Sequence, residues 1–343
     1  MPDRFHAWLL WLGDPAPHGS APAAPLGGED LERLAVEGDR HRVSPAIARN
    51  IRRVTAERGT AAVLRASDPQ AALAAMLERL DFGVAHLVGR AELLRAMQQE
   101  LLERLAATGV SAAVLKGSSF ADRLYPDPAL RPFDDIDLML PHEEFPAARA
   151  VLTELGYRHV PQTSGRHAGH YAEEKWAHPV LGTSPVELHW DLVNSPKLRR
   201  RVSLDFAQLE RFGMADERPT AGALLYIAAI HAAAGHGFDR LQQIFDMVQA
   251  ARGAAGLIDR DALERLAAKT GGGLALRSAL VIAGRLTGDP AMRALAAAVV
   301  RDRRTRGLAR VFGRSPILTA HNSQRSRHAW RRQLYRELLV RLS

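Results

Sequence analysis

The sequence predicts an α+β protein in which an α/β centre, residues 109–200, sits between an N-terminal helical region, 1–108, and a C-terminal helical region, 201–343. Three observations carry this. Apolar residues recur at helical spacing through Leu77, Leu80, Val84, Leu87 and Val88, and again through Leu93, Leu94, Met97, Leu101, Leu102 and Leu105. The texture changes at Thr108-Gly109, after which short apolar runs alternate with turns. Asp135-Ile136-Asp137-Leu138-Met139-Leu140 then places acids on alternate positions with apolar residues between them, the period of a strand. A length of 343 residues suits two or three domains at roughly 100–200 residues each.

The elements follow in order. Residues 14–28 hold four Pro and three Gly and read as a loop. Ser44-Pro45 is a cap and first-turn pair for a helix reaching about Arg58, with Gly59 as its stop signal, and Asp68-Pro69 repeats that start for a second helical segment. Ser111 to Leu115 is a short apolar run feeding Lys116-Gly117-Ser118-Ser119, with a helix expected over 120–125 and a Pro-rich turn over 126–132. Residues 143–155 form a helix closed by Gly156, followed by a short strand from Tyr157 to Val160. A polar loop with His167, His170 and His178 separates it from a strand at Val186-Glu187-Leu188-His189-Trp190. The spacing of those three histidines does not support a zinc site. From Leu204 the pattern is helical, and Gly235 and Gly237 break the run between His231 and Asp246 into a helix pair.

The chemistry concentrates in the centre. Strand residues i and i+2 share a face, so Asp135 and Asp137 aim two carboxylates at one place. Two such charges repel unless a cation lies between them, and hard divalent ions take one or two carboxylates completed by substrate phosphates. A short strand entering a Gly-Ser turn before a helix can present backbone amides and hydroxyls to phosphate, which makes Gly117, Ser118 and Ser119 candidates. Lys116, one of only four lysines, is placed to neutralise phosphate charge. Glu187 offers a third carboxylate, as metal ligand or as general base, with Asp191 a competing candidate and His189 on the same face. Arg131 either reaches the triphosphate or shapes the turn.

Taken together, Leu115-Lys116-Gly117, Leu124-Tyr125-Pro126, Arg131-Pro132, Asp135-Ile136-Asp137-Leu138 and Glu187-Leu188-His189-Trp190 resemble the uncharacterised bacterial nucleotidyltransferase-like proteins of the DNA polymerase β superfamily. His231, His236, Arg240-Leu241 and Asp246 resemble that family's helical half, so the likeness spans roughly residues 45–250. It implies a small mixed β-sheet and a Mg²⁺- or Mn²⁺-dependent transfer of a nucleoside monophosphate from an NTP, with pyrophosphate released. The carried-over roles are phosphate binding for Gly117 and Ser118, the metal pair for Asp135 and Asp137, and the third acid for Glu187. His189, His231 and Arg240 are candidate substrate contacts. The acceptor stays open among a small molecule, a peptide and an RNA end. A non-catalytic nucleotide-binding or adaptor protein on the same fold is the alternative.

Composition bounds the rest. The absence of Cys excludes a disulfide framework and thiolate metal sites, and 47% hydrophobic residues exclude intrinsic disorder. The formal +8 is unevenly spread: twelve arginines and two acids give residues 301–343 a charge of +10, leaving −2 for residues 1–300. That segment is either a solvated helical face or a surface for nucleic acid or anionic membrane. The apolar runs 7–12 and 221–234 are too short for a signal-peptide core and a membrane span, so a soluble cytoplasmic protein is expected.

Overall fold

The computed structural model of the chain describes residues 3–161, 171–178, 185–216, 218–300, 302–313 and 324–342, with side chains of the last helix described from Trp330 onward. Helix and sheet are mixed as the sequence predicts. The N-terminal part comprises α1 (Arg4–Gly13), α2 (Gly28–His41), α3 (Ser44–Arg58) and the long α4 (Pro69–Ala107). Asp68 caps α4 by accepting from the Ala71 N–H, with Pro69 in the first turn, and Gly59 ends α3 with φ +83°. The α3 cap differs by one position. Val43 is the cap residue, and the Ser44 hydroxyl donates instead to Asp39 Oδ1 of α2 at 2.6 Å.

The main sheet has strands β1 (Ala113–Val114), β2 (Ile136–Met139), β3 (Arg158–Val160), β4 (Glu173–Ala177) and β5 (Val186–His189), in spatial order β1-β2-β5-β4-β3. It is a mixed sheet, because β2 and β5 run parallel while the other neighbours are antiparallel. β4 corrects the expectation of a polar loop before Val186. Its backbone pairs on both sides and Trp176 enters the core, while Glu173 and Lys175 give the segment a loop-like composition. His167 and His170 lie outside the described residues, and His178 meets the Tyr157 ring edge-on at 5.1 Å.

Strand alternation divides the sheet into two unlike faces. Ile136, Leu138, Val186 and Leu188 are all but fully buried in a core shared with Leu94, Leu101 and Leu105 of α4 and with Phe145, Val151 and Leu152 of α6 (Phe145–Glu154). Each such side chain contributes about 1.5–3 kcal/mol of hydrophobic stabilisation. Trp190, just after β5, stacks on His142 and lies edge-on to Phe145. The opposite face carries the polar residues of the same strands, with Asp137 opposite Glu187 and Met139 opposite His189 in register. The helix-covered face therefore fixes the orientation of the other one.

The α5 helix (Ser118–Leu124) leaves β1 through Gly117. The C-terminal part comprises α7 (Phe206–Gly213), α8 (Ala221–Ile230), a π-helical turn over His231–His236, α9 (Leu241–Ala251), α10 (Arg260–Lys269), α11 (Gly273–Thr287), α12 (Pro290–Val299), α13 (Arg303–Phe312) and α14 (Gln324–Leu342). The break expected near Gly235 and Gly237 is that π-helical turn, closed by Gly237 at φ +66°. The Arg-rich α14 is docked on the body. Tyr335 is fully buried, lies 2.5 Å from Ser278 Oγ and meets Phe238 and Phe312 edge-on. Among the described residues no helix is long and apolar enough to cross a membrane.

Candidate active site

Glu187 and Asp137 stand side by side on neighbouring parallel strands, and His189 lies two residues along β5 on the same face. One ligand atom from each of Asp137, Glu187 and His189 can be chosen so that all lie within 4.8 Å of one another. His189 Nε2 is 3.1 Å from Asp137 Oδ1 and 3.6 Å from Glu187 Oε2. Asp135 sits one residue before β2 and is more open than Asp137, which is fully buried. Lys116 enters between them, its Nζ 2.5 Å from Asp137 Oδ2 and 3.7 Å from Asp135 Oδ2. The cation that two adjacent carboxylates need is, in this structure, a lysine.

The electrostatics follow from that crowding. Burial works against the Lys116 ammonium, but Asp135, Asp137 and Glu187 outweigh it and hold it charged. Burial and the neighbouring Asp135 push the Asp137 carboxyl up. Asp135 and Glu187 move the other way, because Lys116 overcomes the cost of their burial. His189 is raised as well: burial lowers it, but the hydrogen bond and charge of Asp137 prevail.

The turn after β1 is built tightly. Gly117 has φ +62° and ψ −118°, and a Cβ there would come within 3.3 Å of the Asp135 carbonyl oxygen, so glycine is needed to bring the turn against the D-x-D strand. Ser118 is buried and its hydroxyl donates to Gln98 Oε1 of α4 at 2.7 Å. The Ser119 N–H donates to the Lys116 carbonyl at 3.2 Å. Arg131 is buried and bound to Asp246 of α9, Nε to Oδ1 at 2.8 Å and Nη2 to Oδ2 at 3.0 Å, while its Nη1 donates to the Gly117 carbonyl at 3.1 Å. Of the two roles open to Arg131, the geometry is that of shaping the turn.

A cavity of about 570 Å³ opens over this face. Lys116, Asp135, Glu187 and His189 line it from the sheet, and His231 and His236 from the π-helical turn, whose rings are 4.6 Å apart. Burial, the neighbouring His236 ring and the cations Lys116, Arg131 and Arg240 hold the His231 imidazole well below its ordinary range. Gly117, Ser118, Ser119, Arg131 and Arg240 do not line the cavity. A larger cavity of about 730 Å³ lies among the C-terminal helices, but among the described residues no metal-binding cluster borders it.

A model of the family described as "Uncharacterised nucleotidyltransferase" matches residues 28–288. The chain belongs to that family. No curated protein and no solved structure matches it.

Several parts of this site escape sequence reasoning. Glu173 and Lys175 of β4 lie opposite His189 and Glu187 in register; Lys175 pairs with Glu187 and lies 3.4 Å from Glu173. The run Glu173-Glu174-Lys175 has no strand-like alternation, so the sequence offers no signal for this strand. Asp134, beside the D-x-D pair, is held by Arg42 of the α2–α3 junction and by Arg90 of α4, whose Nη2 donates to its carbonyl at 3.1 Å. Contacts between residues so distant in sequence leave no local pattern.

Asp191, the competing third acid, is turned into its own loop, accepting from the Val193 N–H at 2.6 Å and from the Ser203 hydroxyl. Burial raises its carboxyl to about 6. A carboxyl raised on folding stabilises fully below its unfolded value, near 3.9, and that contribution fades as pH climbs to about 6. Asp191→Asn is therefore expected to flatten the pH dependence of stability between about 4 and 6 and to raise stability at pH 7 by about 2–3 kcal/mol at most, with a higher melting temperature. Melting curves at several pH values check this; a variant that melts lower than the parent at pH 7 refutes it.

Proposed function

We propose that this chain is a metal-dependent nucleotidyltransferase that moves a nucleoside monophosphate from an NTP to a hydroxyl or phosphate acceptor, releasing pyrophosphate. The observation that carries the reading is the grouping of Asp137, Glu187 and His189, with Asp135 and Lys116 beside them; all but the fully buried Asp137 line the cavity. The residues suit a divalent cation. Asp137 Oδ2 is buried with no hydrogen bond beyond its ion pair to Lys116, and two carboxylates with an imidazole form a donor set compatible with Mn²⁺ or Mg²⁺. Asp137, Glu187 and His189 would hold the ion, with Asp135 adjacent. Bound there, it would supply charge neutralisation for the phosphate chain and polarisation of the α-phosphoryl group.

The chain's own residues do the rest. Lys116 keeps Asp135 and Glu187 ionised and is itself held charged beside the entering phosphates. The acceptor oxygen attacks the α-phosphorus in line, the bond from that phosphorus to the bridging oxygen breaks, and pyrophosphate leaves. For a hydroxyl acceptor the proton passes to Glu187, the ionised carboxylate lining the cavity. Gly117 and Ser118 position Lys116 through the turn tied to Gln98 and Arg131.

Incubation with each α-labelled NTP, Mg²⁺ or Mn²⁺, and small-molecule, peptide and RNA acceptors tests the reading. Metal-dependent pyrophosphate release with label on an acceptor is expected. NTP binding that survives Asp135→Ala plus Asp137→Ala, without turnover in the parent, would instead identify a non-catalytic nucleotide-binding protein.

A further inference from the structure

The cavity has a wall that the family match does not reach. The match ends at residue 288, and α14 lies wholly beyond it, yet Arg332 and Arg336 line the same cavity as Asp135 and Glu187. This placement is built. A Cβ at Gly237 would come within 3.0 Å of Arg332 Cα, so the glycine lets α14 pack directly on the end of the π-helical turn. Arg336 Nε donates to the Ala234 carbonyl at 2.6 Å and its Nη2 to the Gly235 carbonyl at 3.2 Å. Lys197 Nζ, 2.5 Å from Glu337 Oε2, also fastens the helix at the cavity.

Charge bookkeeping shows why the wall matters. An NTP brings several negative charges to a face already carrying Asp135, Asp137, Glu173 and Glu187. The cations nearest that face are committed: Lys116 to Asp137, Lys175 to Glu187, and Arg131 to Asp246. Lys197 is paired with Glu337. Among the described residues Arg332 and Arg336 form no ion pair with a carboxylate, although they stand one helical turn apart and repel each other.

We propose that Arg332 and Arg336 of α14 are the anion-binding wall of the acidic cavity and take the phosphate chain of the nucleotide donor. The inference rests on the nucleotidyltransferase reading above. Guanidinium groups suit this task because their planar N–H donors bind phosphate oxygens in pairs. The C-terminal helix thereby gives the site a cationic wall, and two of the twelve arginines of residues 301–343 have a local purpose. Burial and the neighbouring Arg332 lower the Arg336 guanidinium to about 10, consistent with a cation that lacks a counter-ion.

The test is equilibrium binding of ATP, GTP, CTP, UTP, inorganic pyrophosphate and a single-stranded RNA, each with Mg²⁺, to the full chain and to Arg332→Gln, Arg336→Gln, Arg332→Lys and the double glutamine variant. For the NTPs that bind the parent, and for pyrophosphate, Kd is expected to rise about tenfold per glutamine substitution, on the order of a hundredfold for the pair, with Arg332→Lys losing less. The parent nucleoside of each NTP should bind all variants alike. Because Arg336 also bonds to backbone, thermal melts accompany each variant, and Arg332→Gln with an unchanged melt carries the decision. NTP and pyrophosphate binding unaltered in Arg332→Gln and the double variant overturns the inference while leaving the nucleotidyltransferase reading intact. A loss confined to single-stranded RNA binding overturns it in favour of an RNA-facing wall. If the unmodified chain binds no NTP at all, both fall.

Discussion

Asp137→Asn is expected to abolish metal-dependent pyrophosphate release, by on the order of 10³-fold or more, while leaving the metal-free protein no less stable than the parent. The first half follows from the ligand set. Asp137 is the carboxylate shared by the Lys116 pair and the His189 contact, and its neutral amide is a far poorer ligand for a hard cation. The second half follows from the direction of its ionisation. Burial and the adjacent Asp135 push the Asp137 carboxyl up even though Lys116 lies 2.5 Å away, so its negative charge is a net burden on the fold. The amide removes that burden, and Lys116 keeps Asp135 and Glu187 as counter-charges. A site that costs stability and returns activity is the usual trade-off at functional centres. Thermal melts with and without Mn²⁺ separate the two halves. The parent should gain stability as the ion binds the folded state, and the variant should not. A variant that melts several degrees below the parent without metal would mean that Asp137 serves chiefly to anchor Lys116.

The strands that carry the site are legible because their residues make a pattern. Alternating acids at 135 and 137, and the Glu187-His189 pair two apart, share a face when both segments are extended, and the fold sets Asp137 opposite Glu187 in register. The end of α3 and the start of α4 are legible for a similar local reason, since Gly59 and Asp68-Pro69 act within a few residues of their own backbone. What stayed hidden was long-range. β4 opens with three consecutive charged residues, Glu173-Glu174-Lys175, and is recognisable as a strand only from its two neighbours. Lys116 reads as a phosphate ligand from its place before Gly117, and only the fold puts it between two aspartates. The Arg-rich segment reads as a tail because nothing in residues 301–343 announces that Gly237, nearly a hundred positions earlier, leaves room for it.

Asp246→Ala is expected to be the most destabilising single change among the polar residues around the site, by about 3–5 kcal/mol, and to lower activity as well. Asp246 is buried and accepts three hydrogen bonds, from Tyr125 Oη at 2.8 Å and from Arg131 Nε and Nη2 at 2.8 and 3.0 Å. Deleting the carboxylate leaves the Arg131 guanidinium, itself buried, without its counter-ion over the Phe120 ring. Against a total stability of about 5–15 kcal/mol for a folded domain, that loss alone brings the protein close to unfolding. The catalytic consequence travels through Arg131 Nη1, which holds the Gly117 carbonyl and with it the backbone that delivers Lys116. Gln242, one turn before Asp246, donates to the Pro132 carbonyl at 2.8 Å, so α9 grips the turn at two points. The double variant Arg131→Met, Asp246→Leu removes both charges at similar volume and should recover most of the stability, because an apolar pair spares the desolvation of two ions. It should not recover activity, since Gly117 O still lacks its donor. Urea melts and pyrophosphate release on the same three proteins decide the matter: if activity returns with stability in the double variant, Arg131 is structural cement alone and has no part in holding the turn for chemistry.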